Sequence, residues 1–126
     1  MAVRSSKARV QRKDLHNAPR HVKSKRVAAH LSVELREKYG VRSARVCRGD
    51  TVVIMKGKAD IRGNEGKVME VFTDTGCVIV DGVTIKQADG TAVAKPVHAS
   101  NLVITKLDLS DEWRASSISK NKEVEE

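Results

Sequence analysis

Lys and Arg residues are concentrated in the first third of this 126-residue chain, and the chemistry that such side chains offer is the binding of anionic phosphate. Residues 1–48 hold 14 Lys and Arg against three Asp and Glu, a net charge of +11. Residues 49–110 are close to neutral at −1, and residues 111–126 carry −2. A charge excess confined to one segment is typical of proteins that bind a polyanion, either nucleic acid or an anionic membrane.

Other residue types that could do chemistry are few. Cys47 or Cys77 with His98 would supply a nucleophile and a base, but no local signature surrounds them, and an inert buried cysteine is the more common arrangement. The four His residues lack metal-ligand spacing and the chain has no CxxC motif, so no metal and no cofactor are predicted. Asp50, which follows Gly49 at the start of a predicted strand, is expected to bind nearby backbone amides.

Membrane binding is the weaker of the two polyanion interpretations. The longest uninterrupted apolar runs, residues 52–55 and 77–80, are far too short to cross a bilayer, so no membrane insertion is predicted. The first seven residues have no apolar core and no cleavage pattern, so we expect no secretory signal and a cytoplasmic location. In that compartment the two cysteines are expected to stay reduced. With only one Trp, one Tyr and one Phe, recognition by base stacking is disfavoured, and contacts to phosphates, sugars and RNA shape are expected instead.

The elements that must position the cations begin with residues 49–68, which predict a strand, a glycine-bearing loop and a second strand. Residues 52–55 are β-branched or apolar and suit a half-buried strand. Gly57, Gly63 and Gly66 mark the turn, and glycine lets another backbone or a ligand approach closely. Two interpretations of the loop are open: its cations bind a phosphate backbone, or it is a solvated hairpin without a ligand. Its cations are Lys56, Lys58, Arg62 and Lys67.

Short strands separated by turn signals occupy residues 49–107. Asp-Gly at 81–82 and at 89–90 each predicts a two-residue hairpin, because a type I′ turn needs positive φ. Pro96 fits an edge strand or a bend. The pattern predicts a mainly β fold built as a small barrel. The predicted strands are residues 51–55, 66–72, 77–80, 83–87, 91–98 and 102–106. The predicted core is Val52, Ile54, Val68, Val71, Val78, Val80, Ile85, Val93, Leu102 and Ile104.

The segments on either side of the barrel complete three expected regions: a basic, partly helical N-terminal extension at 1–48, the barrel at 49–107, and a polar C-terminal tail at 108–126. Residues 1–30 have little apolar material to bury, so we expect them to be disordered when free and ordered on a partner. Residues 22–39 carry an imperfect helical stripe that predicts one or two short helices. Ser32 is the expected cap of the second helix and Gly40 its end. In the tail, Ser110 is the expected cap of a short turn, and residues 116–126 are expected to fray.

Two runs of residues 49–68 resemble the KOW motif of ribosomal proteins and transcription elongation factors. They are Gly49-Asp50-x-Val52-x-Ile54-x-x-Gly57 and Arg62-Gly63-x-x-Gly66-x-Val68. The flanking residues 15–19, 29–43 and 97–107 are similar to one family in particular, large ribosomal subunit protein twenty-four, called twenty-six in eukaryotes. The resemblance covers residues 12–113, and the acidic tail favours the archaeal type. The segment between Gly57 and Gly63 is longer than the family pattern.

The resemblance implies an SH3-like barrel and a structural role in the large ribosomal subunit, on cytoplasmic ribosomes. It also implies direct binding of large-subunit rRNA near its 5′ domain, an early part in subunit assembly and a place near the polypeptide exit tunnel. The implied partners are rRNA, neighbouring large-subunit proteins and factors that act at the exit tunnel. From charge and position, we predict these RNA-contact residues: Arg9, Arg12, Lys13, Arg20, His21, Lys23, Lys25, Arg26, Arg42, Arg45, Arg48, Lys56, Lys58, Arg62 and Lys67. Arg42, Arg45 and Arg48 recur at three-residue spacing, which predicts an irregular basic linker.

Two other functions remain open at this point. The first is a transcription elongation factor with a KOW barrel, although such factors usually carry an α/β domain before the barrel, which 48 basic residues do not supply. The second is a small enzyme on a β-barrel scaffold, which would need a pocket with convergent polar groups. The sequence shows no such set of residues, so we predict that the protein is not an enzyme.

Overall fold

A computed structural model of the chain describes the backbone of residues 5–125 and the side chains of residues 5–119. The start of the basic segment, including Arg4, and the final Glu126 lie outside the described residues. The helices are α1 (Ala8–Asn17), α2 (Arg20–Arg26), α3 (Val33–Tyr39) and α4 (Glu112–Glu125), with a 3-10 turn at Ala99–Asn101. The strands are β1 (Ala28–Leu31), β2 (Ser43–Arg45), β3 (Thr51–Ile54), β4 (Glu65–Phe72), β5 (Cys77–Lys86), β6 (Ala92–His98) and β7 (Leu102–Lys106).

The strands form one mixed sheet in the order β2-β1-β7-β3-β4-β5-β6. β1 and β7 pair in parallel, and the other neighbours pair antiparallel. The register shifts between Val68 and Glu70 and again between Ile79 and Thr84. Such bulges bend a sheet and allow a few short strands to curl around a core. The prediction of a mainly β, small SH3-like barrel with a helical N-terminal part is confirmed.

The core lies inside this bent sheet, and most of the predicted core residues are buried there. Val52, Val68, Val78 and Leu102 are at most 1% exposed, and Ile54, Val80 and Ile104 belong to the same cluster. Val71 is partly buried and packs against the cluster. The prediction is wrong for Ile85 and Val93, which are 45% and 37% exposed. These two residues face each other at the far end of the β5–β6 hairpin, where no third strand covers them.

The chain does not reverse at Asp81-Gly82, so the prediction of a hairpin there is wrong. β5 continues through both residues, and Gly82 takes φ 83° within the irregular stretch of the strand. Val80 and Val83 are both buried, so a bend that keeps both in the core is favoured over a turn that would expose one. A hairpin does connect β5 and β6 near residues 89–90, but the predicted two-residue type I′ turn is wrong. The N–H of Gly90 donates to the carbonyl of Gln87 at 2.9 Å, which centres the turn on Ala88 and Asp89, and Asp89 does not have positive φ.

Residues before the KOW motif also contribute to the sheet. Val27, Ala29 and Leu31 are buried at alternating positions, and β1 lies between β2 and β7. Period-two burial is the signature of a strand, so the helical interpretation is wrong for Ala28–Leu31. The irregular linker is likewise wrong for Ser43–Arg45, which pairs with β1. The described part of this region, residues 5–48, thus holds three helices and two strands, where the sequence predicted one or two helices.

Two local predictions at the ends of α3 are confirmed. The Ser32 hydroxyl accepts a hydrogen bond from the N–H of Leu35, which satisfies a free donor of the first turn. Gly40 ends the helix in the left-handed region at φ 67°, and its N–H donates to the carbonyl of Arg36. Pro96 lies on β6, which is an edge strand as predicted.

The C-terminal segment is more ordered than predicted. α4 runs from Glu112 to Glu125, and its Ile118 is only 7% exposed. The helix is capped by Asp111, whose carboxylate accepts the N–H of Trp113 at 3.1 Å, and not by Ser110. The expectation of a short turn followed by a frayed polar tail is therefore wrong for the described part of this segment.

Candidate nucleic-acid interface

The loop between β3 and β4 is a closed, ordered turn. The N–H of Gly63 donates to the carbonyl of Ile54 at 2.7 Å, and the N–H of Ile54 donates to the carbonyl of Asn64 at 3.1 Å. Ile61 is 9% exposed and folds back onto the core, where its side chain contacts Gly57. This anchoring turns the polar residues of the loop outward. The exposed cations of the loop are Lys56, Lys58 and Arg62, whereas Lys67, predicted as a fourth loop cation, is an exposed residue of strand β4.

Gly66 in β4 is required by a close approach of β5. A Cβ at this position would lie 2.5 Å from the carbonyl oxygen of Asp81 and 2.7 Å from Cγ1 of Val80. Neither neighbour is a flexible side-chain end, so only glycine fits without a shift of the backbone. The last glycine of the KOW motif therefore has a packing role in this fold.

Asp50 lies beneath the motif as a fully buried carboxylate. It accepts the N–H of Cys47 at 3.0 Å and the N–H of Asp108 at 2.9 Å. Both terminal nitrogens of Arg114 donate to it at 2.6 Å. The same guanidinium also donates to the backbone carbonyls of Asp108 and Arg45. The predicted bonds to backbone amides are present, but the sequence reasoning missed Arg114 because it lies in the segment predicted to be a polar tail.

Ionisation of the groups around Asp50 follows from this packing. Burial alone would lower the pKa of Arg114, but the hydrogen bonds and the charge of Asp50 outweigh it and raise the pKa. Burial raises the pKa of the Cys47 thiol. The pKa of Asp108 is lowered, chiefly because its carboxylate accepts the N–H of Ser110. Arg114 thus stays charged, and its charge is neutralised within the protein.

The eight predicted contact residues of the N-terminal segment lie on α1 and α2. All are exposed except Lys23, which is partly buried and forms a 3.6 Å ion pair with Asp74 in the β4–β5 turn. α1 has no buried residue, and a 3.4 Å hydrogen bond from Arg26 to the carbonyl of Leu15 connects it to α2. α2 is therefore attached to the barrel, whereas α1 extends from it. Their predicted contact residues are Arg9, Arg12, Lys13, Arg20, His21, Lys23, Lys25 and Arg26.

Strand register brings the end of α2 and the KOW loop to the same end of the sheet. His30 of β1 pairs with Val103 of β7, so the residues just after α2 lie beside the start of β7. The loop begins at the same place, because the N–H of Met55 donates to the carbonyl of Asn101 at 2.8 Å. Arg45 pairs with Ala28 and belongs to the same end. The end of α2 and the beginning of the loop therefore lie at the same end of the sheet. The Arg45 carbonyl, however, contacts Arg114 beside Asp50, and Lys67 of β4 pairs with Thr51 at the other end of β3. Arg42, Arg45 and Arg48 are exposed.

Other kinds of site find little support. Within residues 5–119, no group of three or more His, Cys, Asp and Glu side chains is placed to hold a metal ion. Cys47 and Cys77 are free thiols. His98 lies opposite Cys77 in the β5–β6 pairing, but its Nδ1 is 2.7 Å from the Ser100 hydroxyl and also accepts the N–H of Ser100, which caps the 3-10 turn. The Cys77 thiol donates to the carbonyl of Thr75. None of the helices in the described part of the chain is long and apolar enough to cross a membrane.

A bent β-sheet with a KOW loop, joined to a cationic helical arm, defines the class as that of KOW-domain proteins. The family model that describes ribosomal proteins L26 of eukaryotes and their L24-type counterparts of archaea matches residues 5–121, and the chain belongs to this family. It is similar to large ribosomal subunit protein uL24 of Methanosarcina barkeri, with 51% identity over 92% of this chain and 98% of the relative. The uL24 of Sulfurisphaera tokodaii is 43% identical over 97% of this chain and 89% of the relative. That of Methanocella arvoryzae is 50% identical over 92% of both.

Family membership makes the chain a structural constituent of the large subunit, located on the cytoplasmic ribosome. The predicted archaeal type is confirmed by these archaeal relatives. The family is one of ribosomal structural proteins and not of enzymes or elongation factors, so those two alternatives lose their support. Contact of the fifteen predicted residues with RNA stays a prediction.

Proposed function

We propose that this protein binds large-subunit rRNA directly, near the 5′ domain, and helps to nucleate subunit assembly from a place near the polypeptide exit tunnel. In this role its cationic helices and KOW loop hold rRNA segments together. Neighbouring large-subunit proteins and factors at the exit tunnel complete its surroundings.

One observation supports this proposal above the others: the predicted contact residues are exposed and their charges are not neutralised. Fourteen of the fifteen are exposed. Among the described residues, ion pairs form only at Lys23–Asp74 and Arg114–Asp50, so a single predicted contact residue has an acidic partner. Cations that stabilise a fold are paired with acidic side chains, whereas exposed cations without acidic partners are available to phosphates.

The expected binding mode relies on charge and shape. A-form RNA closes its deep groove to side chains and offers phosphates and 2′-hydroxyls instead. Arg side chains fork onto phosphate oxygens, and the exposed loop cations add point charges beside them. Each neutralised phosphate releases condensed counterions, so affinity should fall steeply with salt.

The test compares binding of a 5′-domain rRNA fragment with binding of an unrelated structured RNA of equal length, over a salt series. Removal of residues 1–48 is unsuitable, because it would delete β1 and β2 and part of the core. Charge neutralisation of α1 leaves the fold intact, because no residue of α1 is buried. The variant is Arg9→Gln, Arg12→Gln and Lys13→Gln. The matched control removes the same charge elsewhere, with Lys86→Gln, Lys95→Gln and Lys106→Gln.

Wild-type protein is expected to prefer the 5′-domain fragment. The α1 variant should lower the slope of log affinity against log salt by roughly two to three, at about 0.9 for each lost phosphate contact. The control should keep the wild-type slope. Equal affinity for both RNAs, or equal loss in both variants, would refute site-specific binding and leave only a general polyanion surface.

A further inference from the structure

Trp113 is the most exposed large hydrophobic residue in the described part of the chain, with 85% of its surface accessible to solvent. It is also the only Trp of the protein. A large indole in water is unfavourable, and Trp is enriched among the residues that dominate binding energy at protein interfaces. The position therefore needs a partner that the barrel does not supply.

The backbone that carries the indole is held against the barrel. The N–H of Trp113 donates to the capping carboxylate of Asp111, and the next residue, Arg114, is bound to buried Asp50. Ile118, one turn after Arg114 on α4, is buried. An aromatic side chain has few rotatable bonds, so one carried on a fixed backbone loses little entropy on binding, which favours its use as an anchor.

Charge indicates what kind of partner fits. Asp111 and Glu112 are exposed and directly precede Trp113, and Arg114, which directly follows it, is neutralised by Asp50. This surface is acidic on a chain whose net charge is +8, so it repels phosphates and attracts cations. Lys and Arg side chains stack favourably on the face of an indole.

We infer that the start of α4, with Trp113 as its anchor, is a docking site for a Lys- or Arg-rich segment of a neighbouring large-subunit protein. The inference depends on incorporation into the large subunit and goes beyond the RNA contacts proposed above. It assigns different surfaces of the protein to different partners, with rRNA on the cationic helices and loop and a basic protein on the acidic helix start.

The test is site-specific photo-crosslinking in reconstituted archaeal large subunits. One full-length variant carries p-benzoylphenylalanine in place of Trp113, and the other carries it in place of Leu15, which is 54% exposed on the cationic helix α1. Both positions are exposed, so neither substitution disturbs the core. Crosslinked partners are identified by mass spectrometry after nuclease digestion.

At position 113 we expect a crosslink to a Lys- or Arg-rich segment of an identified large-subunit protein, and at position 15 a crosslink to rRNA. A crosslink from position 113 to rRNA or to a second copy of this chain, or no crosslink in subunits that contain the variant, would overturn the inference. Absence of rRNA at position 15 would count against the proposed RNA binding only. The two failures are therefore distinguishable.

A second measurement tests the energetic role of the indole. Trp113→Ala is expected to make retention on large subunits during a salt wash at least about tenfold weaker, as for a buried aromatic anchor, whereas Trp113→Phe should retain most of the binding. The isolated variants should bind the 5′-domain fragment with wild-type affinity. Wild-type retention of Trp113→Ala would exclude an anchor at this position.

Discussion

The buried carboxylate of Asp50 and the guanidinium of Arg114 form a bidentate ion pair, with both N–O distances at 2.6 Å. The two residues lie 64 positions apart in the sequence. Asp50 is fully buried, and two backbone N–H groups also donate to it. The pair connects the first strand of the KOW motif to the C-terminal helix. Because every hydrogen-bonding group around it is satisfied, the helix start is fixed to the barrel.

Removal of Arg114 should be strongly destabilising. Arg114→Met leaves the Asp50 carboxylate buried without its counterion, so the free energy of unfolding is expected to fall by about 3–5 kcal/mol in urea denaturation. The control is Lys23→Met, which breaks the Lys23–Asp74 pair at the exposed Asp74. That loss should be at most about 1 kcal/mol. Similar losses in the free energy of unfolding in both variants would show that the buried ion pair stabilises the fold no more than the exposed one.

Replacement of Gly66 should destabilise through a clash. Gly66→Ala places a Cβ 2.5 Å from the Asp81 carbonyl oxygen, so a loss of about 1–3 kcal/mol in the free energy of unfolding is expected. Gly63→Ala is the matched control, since a Cβ at Gly63 would meet nothing within 4 Å. Its positive φ of 86° still costs about 1–2 kcal/mol. Both variants are therefore expected to be less stable, but the clash predicts distorted β4–β5 amide shifts for Gly66→Ala alone. Unchanged amide shifts in that variant would contradict the clash.

Stability should decrease at alkaline pH because of Cys47. Burial raises the pKa of its thiol above the unfolded value of about 8.5. The folded state then keeps a proton that the unfolded state releases, so stability is fully present below that unfolded value and is lost as pH rises from there through the folded pKa. Over the pH range from the unfolded to the folded pKa of Cys47, the denaturation midpoint should decrease less steeply with rising pH for Cys47→Ala than for Cys77→Ala. An identical decrease in both variants would assign the effect to other groups.

α1 should be only marginally stable without RNA. It has ten residues, none of them buried, and isolated helices shorter than about 12–15 residues are marginal in water. In hydrogen exchange, its amides are expected to exchange far faster than those of β3 and β7, and the 5′-domain fragment should slow them. Protection of α1 equal to that of β3 in the free protein would contradict this. An unrelated RNA provides the control for specificity.

Much of the barrel could be predicted from the sequence. Local patterns specify features that depend on neighbours within a few residues. These features are the apolar alternation of β3 and β7, the cap and end of α3, and the hairpin near residues 89–90. The site was predicted in outline for the same reason. The charge distribution and the KOW spacing can be read directly from the sequence, and the structure places the predicted contact residues on the surface.

The charge asymmetry, the KOW motif, the family and most of the core could therefore be predicted from local patterns. The folded structure was needed to show that β1 inserts between β2 and β7, that Ile85 and Val93 lie beyond the covered part of the sheet, and that Arg114 neutralises Asp50. Each depends on which distant segments meet. A strand of four residues or a single ion pair leaves no periodic trace in the sequence, so its partner is fixed only when the chain has folded.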